Sequence, residues 1–112
     1  MNTIELKIFA LELQKKYPVK LKLELTQDVF DDPYIFLASI VVKKNKRNTG
    51  VGTAVMNHII EFSKLKDIPV ALNPSDLYGS NSDLLIEFYR KFGFKLNRGK
   101  RVYSEKMIYF PR

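Results

Sequence analysis

Apolar residues near the start of the chain recur at helical spacing. Ile4, Ile8 and Leu11, with Phe9 and Leu13, form a stripe that predicts an amphipathic helix with this face turned to the core. Asn2, followed three residues later by Glu5, supplies a start signal, and Pro18 supplies the stop. From Val19 the period drops to two: Val19, Leu21, Leu23 and Leu25 alternate with Lys20, Lys22 and Glu24, as in a strand covered on one face. Thr26–Pro33 holds three Asp residues and a Pro and reads as a turn.

Tyr34–Val42 is almost wholly apolar, which predicts a central strand buried on both faces of a mixed sheet. A basic and glycine-containing stretch follows, and then Val55, Met56, Ile59, Ile60 and Ser63 mark the inner face of a helix ending near Lys66. Ile68–Leu72 reads as another strand, and Asn73–Ser82 as a long polar loop of the kind that faces substrates. Leu84, Leu85, Phe88, Tyr89 and Phe92 share one helical face, Gly93 stands where a left-handed C-cap is needed, and Phe94 is the cap's apolar contact. Phe94–Leu96, a basic turn containing Arg98, Lys100 and Arg101, and Ser104–Phe110 complete an antiparallel pair. No repeat or linker divides the chain, so residues 1–112 read as a single domain of α/β class, of the α+β type.

Composition narrows the chemistry. With 112 residues, 46% apolar and 28% charged, the chain has an ordinary globular make-up and room for one core. It has no cysteine, which excludes disulfides, thiolate metal sites, iron–sulfur clusters and a cysteine nucleophile. The single His58 cannot form a histidine-rich metal site, and its position between the apolar residues of its helix reads as surface; no metal is expected. Glu5, Lys7, Glu12, Lys15 and Lys16 interrupt the N-terminal apolar run, so neither a signal peptide nor a membrane span is expected and a cytoplasmic protein is. A net charge of +7 favours an anionic partner: nucleic acid, a phosphorylated cofactor or a membrane surface.

The order strand, glycine loop, helix carries the sharpest signal. A helix start after a buried strand presents unpaired amides and a positive dipole end, and glycines let a phosphate approach that backbone. The loop is not a Walker A motif, since no Gly-Lys-Ser/Thr follows, and it lacks the third glycine of the dinucleotide fingerprint. Arg47-Asn48-Thr49-Gly50-Val51-Gly52 instead resembles the Arg/Gln-x-x-Gly-x-Gly/Ala loop of the GNAT N-acetyltransferase superfamily. Phe88-Tyr89-Arg90-Lys91-Phe92-Gly93-Phe94 is similar to that family's Leu/Phe-Tyr-x-Lys-x-Gly-Phe block. Together the likeness covers roughly Ile35 to Phe110.

The resemblance implies a mixed, mostly antiparallel sheet flanked by helices, with the glycine loop after the central strand. It implies an acetyltransferase that moves an acetyl group from acetyl-CoA to a primary amine by direct attack, the acceptor being a small molecule or a protein. On matching positions, the backbone of Arg47, Asn48, Thr49, Gly50, Val51, Gly52 and Thr53 would cradle the pyrophosphate. Ile40, Val41 and Val42 would pair with pantetheine, and Tyr89 would face the thioester sulfur as general acid. A phenol with a pKa near 10 suits a thiolate of similar basicity. The run Lys43, Lys44, Lys46 and Arg47 would draw the coenzyme's phosphates, and nucleic acid is not expected as a partner.

Two departures from the family stand out. Tyr34–Val42 contains no carboxylate to act as base, leaving Glu24, Asp28, Asp31 and Asp32 as alternatives. Ser82, beside Asn81, occupies the cofactor-contact position where many members carry Asn. Asp76, Tyr78 and Ser80 are candidates for acceptor contacts. A rival from another class is a catalytically silent module of the same fold, holding nucleic acid or a protein partner on its basic surface. The exposed edge of a short sheet is compatible with a homodimer.

Overall fold

The computed structural model describes residues 1–74, 82–99 and 101–112. Helix α1 covers Thr3–Lys16; the Asn2 side chain accepts a 2.8 Å hydrogen bond from the Glu5 amide, the N-cap the sequence announces. It ends at Tyr17, already extended, because a residue before proline avoids helical geometry.

The helix turns to the core a face that shares only Leu13 and the half-buried Phe9 with the stripe its spacing predicts. Leu6, Ala10 and Leu13 are buried, while Ile4, Ile8 and Leu11 are 69%, 51% and 57% exposed. Two apolar stripes run along α1, and tertiary contacts choose between them. On one flank Phe9 stacks on Phe62 at 4.1 Å and Glu5 pairs with Lys66. On the other, Gln14 accepts a 3.1 Å hydrogen bond from the Leu21 amide. These anchors fix the rotation that points Leu6, Ala10 and Leu13 at the sheet.

Strands β1 (Val19–Gln27) and β2 (Pro33–Val42) form an antiparallel pair. Asp28 Oδ1 closes the turn by accepting from the amides of Phe30 (2.8 Å) and Asp32 (3.1 Å), so the turn is shorter than expected and strand extends into both of its ends. Helix α2 (Val51–Lys66) buries Val55, Met56, Ile59, Ile60 and Ser63, the five residues its periodicity selects. It leads to β3 (Val70–Leu72), which runs parallel to β2. After helix α3 (Ser82–Arg90) come β4 (Lys95–Leu96) and β5 (Met107–Tyr109). The sheet order is β1-β2-β3-β5-β4, with β2–β3 as its one parallel pairing among the described residues.

The main core lies between one sheet face and the helices. Ile35, Leu37, Val70, Leu72, Met107 and Tyr109 meet the buried residues of α1, α2 and α3 there. Tyr34, Ala71 and Ile108 form a smaller cluster on the opposite face with Phe36 and Tyr103. Strand β2 is therefore covered on both faces only in its first half, Tyr34–Leu37, and not along its whole length as its composition suggests.

Helix α3 buries Tyr89 and half-buries Leu85 and Phe88, and Phe92, half-buried as well, lies in the turn just beyond it. Leu84 is 70% exposed, so the apolar stripe is narrower than its spacing predicts. The helix ends in a Schellman motif: the Phe94 amide donates to the Tyr89 carbonyl and the Gly93 amide to that of Arg90. Gly93, at φ +94°, takes the left-handed position. Of Ser104–Phe110 only Met107–Tyr109 is strand, because Asn97 instead donates to the carbonyls of Tyr103 and Glu105.

Two outcomes test this packing. Leu13→Ala should cost about 3 kcal/mol, whereas Leu11→Ala should stay within about 0.5 kcal/mol of wild type, both read by urea unfolding; equal costs would mean that α1 is rotated. On the second face, Tyr34 donates to Glu105 at 2.8 Å, and burial, then the carboxylate, push its phenol up to about 12. A tyrosine raised above its unfolded value contributes stability below pH ~10 that fades as pH climbs toward 12. Glu105→Gln should lower the pH at which Tyr34 ionises in an absorbance titration; an unmoved titration would remove Glu105 as a cause.

Candidate active site

The cleft begins where two strands part. Strand β2 pairs with β3 only through Ile35, Phe36 and Leu37. At that point the β1–β2 register jumps, with Lys22 opposite Ser39 and Leu23 opposite Leu37. Ala38 is thus the extra residue of a bulge, which bends its strand and strengthens its twist. Beyond it, β2 keeps β1 on one side and has no strand on the other among the described residues. The Val42 carbonyl faces this open edge, where it accepts from Arg47 Nε at 3.3 Å, and strand alternation turns the polar groups of Ile40 the same way.

The start of α2 closes the gap. Lys44–Lys46 forms a short 3₁₀ turn, and the Thr49 hydroxyl donates to the Lys46 carbonyl. Asn48 (φ 62°) and Gly50 (φ 87°) are left-handed, which reverses the chain into the helix. The N-cap is Gly50, which has no side chain to offer, and the first intrahelical bond runs from the Ala54 amide to the Gly50 carbonyl. The amides of Val51, Gly52 and Thr53 therefore have no intrahelical acceptor. A Cβ on Gly50 would meet nothing within 4 Å, and Gly50, Gly52 and Thr53 all line a cleft. With Lys46 and Arg47 beside it, this helix end can hold an anion through backbone donors, dipole and cations.

The resulting cleft has a volume of about 380 Å³. Its strand wall is Leu37–Val42, its loop wall includes Arg47, Asn48, Gly50, Gly52 and Thr53, and Leu85, Phe88 and Tyr89 of α3 close the far side. Tyr89 is 8% exposed and packs edge-on against Phe88 and Phe94. Burial alone pushes its phenol above 10, and its hydroxyl has no hydrogen-bond partner among the described residues. A protonated phenol at a cleft wall can donate to a reacting group.

Ten of the residues singled out from the sequence meet here: Ile40, Val41, Val42, Lys46, Arg47, Asn48, Gly50, Gly52, Thr53 and Tyr89. Thr49 and Val51 do not line the cleft; Thr49 is bonded within its turn and Val51 packs on the core. Ser82 opens α3, and its side chain, like Asp76, Tyr78, Ser80, Asn81 and Lys100, lies outside the described residues. Of the basic run, Lys43 and Lys44 border an adjoining hollow with Arg47.

None of Glu24, Asp28, Asp31 and Asp32 lines the cleft. Glu24 pairs with Lys22 at 3.3 Å, and Asp28 and Asp31 border a separate hollow. Nor is His58 a free surface residue: it is half-buried, and its Nε2 shares a 3.0 Å hydrogen bond with the Tyr17 hydroxyl. Sequence reasoning missed Ala38, Ser39, Leu72, Leu85 and Phe88 as cleft residues. Phe88 and Leu85 were legible as the neighbours of Tyr89 on its helical face, but nothing in the sequence marks the bulge at Ala38.

Among the described residues no group of acidic or histidine side chains is arranged to hold a metal, and no helix is long and apolar enough to cross a membrane. No curated protein matches the chain. The family model described as Acetyltransferase (GNAT) domain does match it, over residues 20–96. That span contains the parted strands, the glycine loop and Tyr89, and it begins earlier than the motifs suggest, taking in β1. The chain belongs to the GNAT acetyltransferase family.

Proposed function

We propose that this chain transfers an acetyl group from acetyl-CoA to an amine. The observation that carries the reading is the meeting, in one cleft, of the α2 amides of Gly52 and Thr53, which have no intrahelical acceptor, an open β2 edge, and a Tyr89 hydroxyl without a partner among the described residues. Each matches one part of the cosubstrate: a diphosphate, a chain with amide groups and a thioester.

The amides of Gly52 and Thr53 hold the diphosphate, with Lys46 and Arg47 adding charge. Ile40 and Val42 offer backbone donors and acceptors to pantetheine, as an added strand would find. The thioester supplies an activated acetyl carbon. The walls formed by Leu72, Leu85 and Phe88 exclude water, and the strand and loop hold that carbon for a neutral amine. The amine lone pair forms the C–N bond, the C–S bond breaks, and the Tyr89 hydroxyl gives its proton to the departing sulfur. Burial keeps Tyr89 protonated at neutral pH, as this role requires. The surplus proton on nitrogen leaves to water or to a group outside the described cleft lining, which contains no carboxylate.

Two measurements test the reading. Gly50 is left-handed, a conformation both Asn and Asp tolerate. Gly50→Asn should therefore keep most coenzyme A affinity by calorimetry, whereas Gly50→Asp should lose roughly tenfold or more through charge repulsion. Equal affinities would move the diphosphate elsewhere. Tyr89→Phe keeps the ring's packing and removes only the hydroxyl; turnover in a thiol-release assay should drop roughly 10²-fold with coenzyme affinity unchanged. Binding without thiol release in the wild type, across a panel of amines, would instead identify a silent module.

A further inference from the structure

Strand β1 is an edge. It is nine residues long and pairs with β2 alone among the described residues. It has neither proline nor glycine, its bulge lies on the partner strand, and its inward residues Val19, Leu21 and Leu23 are apolar and buried. Most of the devices that protect an edge from a second strand are missing.

The outward polar groups can be identified. The Pro18 carbonyl accepts from the Lys43 amide, so the even-numbered residues of this segment face β2. The Leu21 amide turns the other way, to Gln14 Oε1. Alternation then points the amides and carbonyls of Leu23, Leu25 and Gln27 outward, where no described group meets them. Helix α1 flanks this edge. Ile4, Lys7, Leu11 and Gln14 follow one another at steps of three and four, and Gln14 is fixed at the edge by its bond to Leu21. The exposed Ile4 and Leu11 thus lie along the same flank as the open strand.

We propose that two copies of this chain pair through β1, antiparallel about Leu23, joining two sheets and bringing the two α1 flanks together. Charge selects both the partner and the register. With Leu23 opposite its own counterpart, Lys22 faces the second copy's Glu24 twice over, and Leu21 faces Leu25 beneath the helices. A centre at Leu21 sets Lys20 against Lys22, and a centre at Leu25 sets Leu23 against Gln27. Lys22 and Glu24 already pair within each strand on the solvent face, so the two-fold closes a ring of four alternating charges. Gln14 competes for the Leu21 amide and keeps the association reversible.

Sedimentation over a concentration series tests this on the intact chain. The wild type should show a reversible monomer–dimer equilibrium. Lys22→Glu should weaken the dimer roughly tenfold or more, because like charges then face each other twice, and Lys22→Glu with Glu24→Lys should restore it. Gln14→Ala should tighten it, and Leu11→Ser should weaken it with the urea midpoint of the monomer unchanged. A dimer indifferent to Lys22→Glu, or not restored by the double exchange, overturns this geometry. So do a wild type and a Gln14→Ala variant that both remain monomeric. Thiol release is a separate readout, since neither Lys22 nor Glu24 lines the cleft.

Discussion

The separation of β2 from β3 after Leu37 is the constraint on which the rest of the structure turns. A parallel pair that continued to Val42 would satisfy every backbone group on β2 and leave no room beside the loop. Instead three residue pairs hold the strands together, and the bulge at Ala38 steers β2 away. The pairing with β1 survives on the other side, so the strand stays rigid while one edge is released. Rigid backbone with unspent hydrogen-bonding capacity is costly when buried and useful when it lines a cleft.

The glycine loop acquires meaning from that separation. A helix start capped by glycine is common enough, and its exposed amides are normally hydrated. Here the amides of α2 open onto the released edge of β2, and Arg47 ties loop to strand through the Val42 carbonyl. Part of the chain's excess positive charge gathers at the same end, with Lys46 on the cleft and Lys43 and Lys44 on the adjoining hollow. The net charge of +7 alone fits several kinds of anion; a local group of cations beside amides without an intrahelical acceptor is a more selective feature than the total.

The sequence was informative where one residue pattern had one structural solution. In α2 all five positions of the apolar face are buried, since no second apolar stripe competes and the helix has a sheet beneath it. In α1 two stripes compete, and only the Phe9–Phe62 stack, the Glu5–Lys66 pair and the Gln14 bond decide between them. Those contacts are long-range and leave no trace in local spacing. The apolar run 34–42 shows the opposite difficulty: burial by core and burial by a cleft wall ask for the same residues. A bulge at Ala38 changes register without changing composition, so the feature that makes the cleft was the least visible in the sequence.

The two motif blocks are bound together by packing as well as by chemistry. Gly52 faces the ring of Phe88, whose Cζ lies 3.8 Å from where a Cβ would stand, so a small residue there admits α3 to the side of the cleft. At the other end of the block, a Cβ on Gly93 would stand only 3.2 Å from the Tyr109 ring, and the Schellman bond from Phe94 closes on the Tyr89 carbonyl. Phe94 then packs against the Tyr89 ring. The described residues after Tyr89 thus do not line the cleft, yet they brace the ring of one that does. The Tyr89 ring is held by Phe88 and Phe94, while its hydroxyl, with no hydrogen-bond partner among the described residues, belongs to the cleft wall.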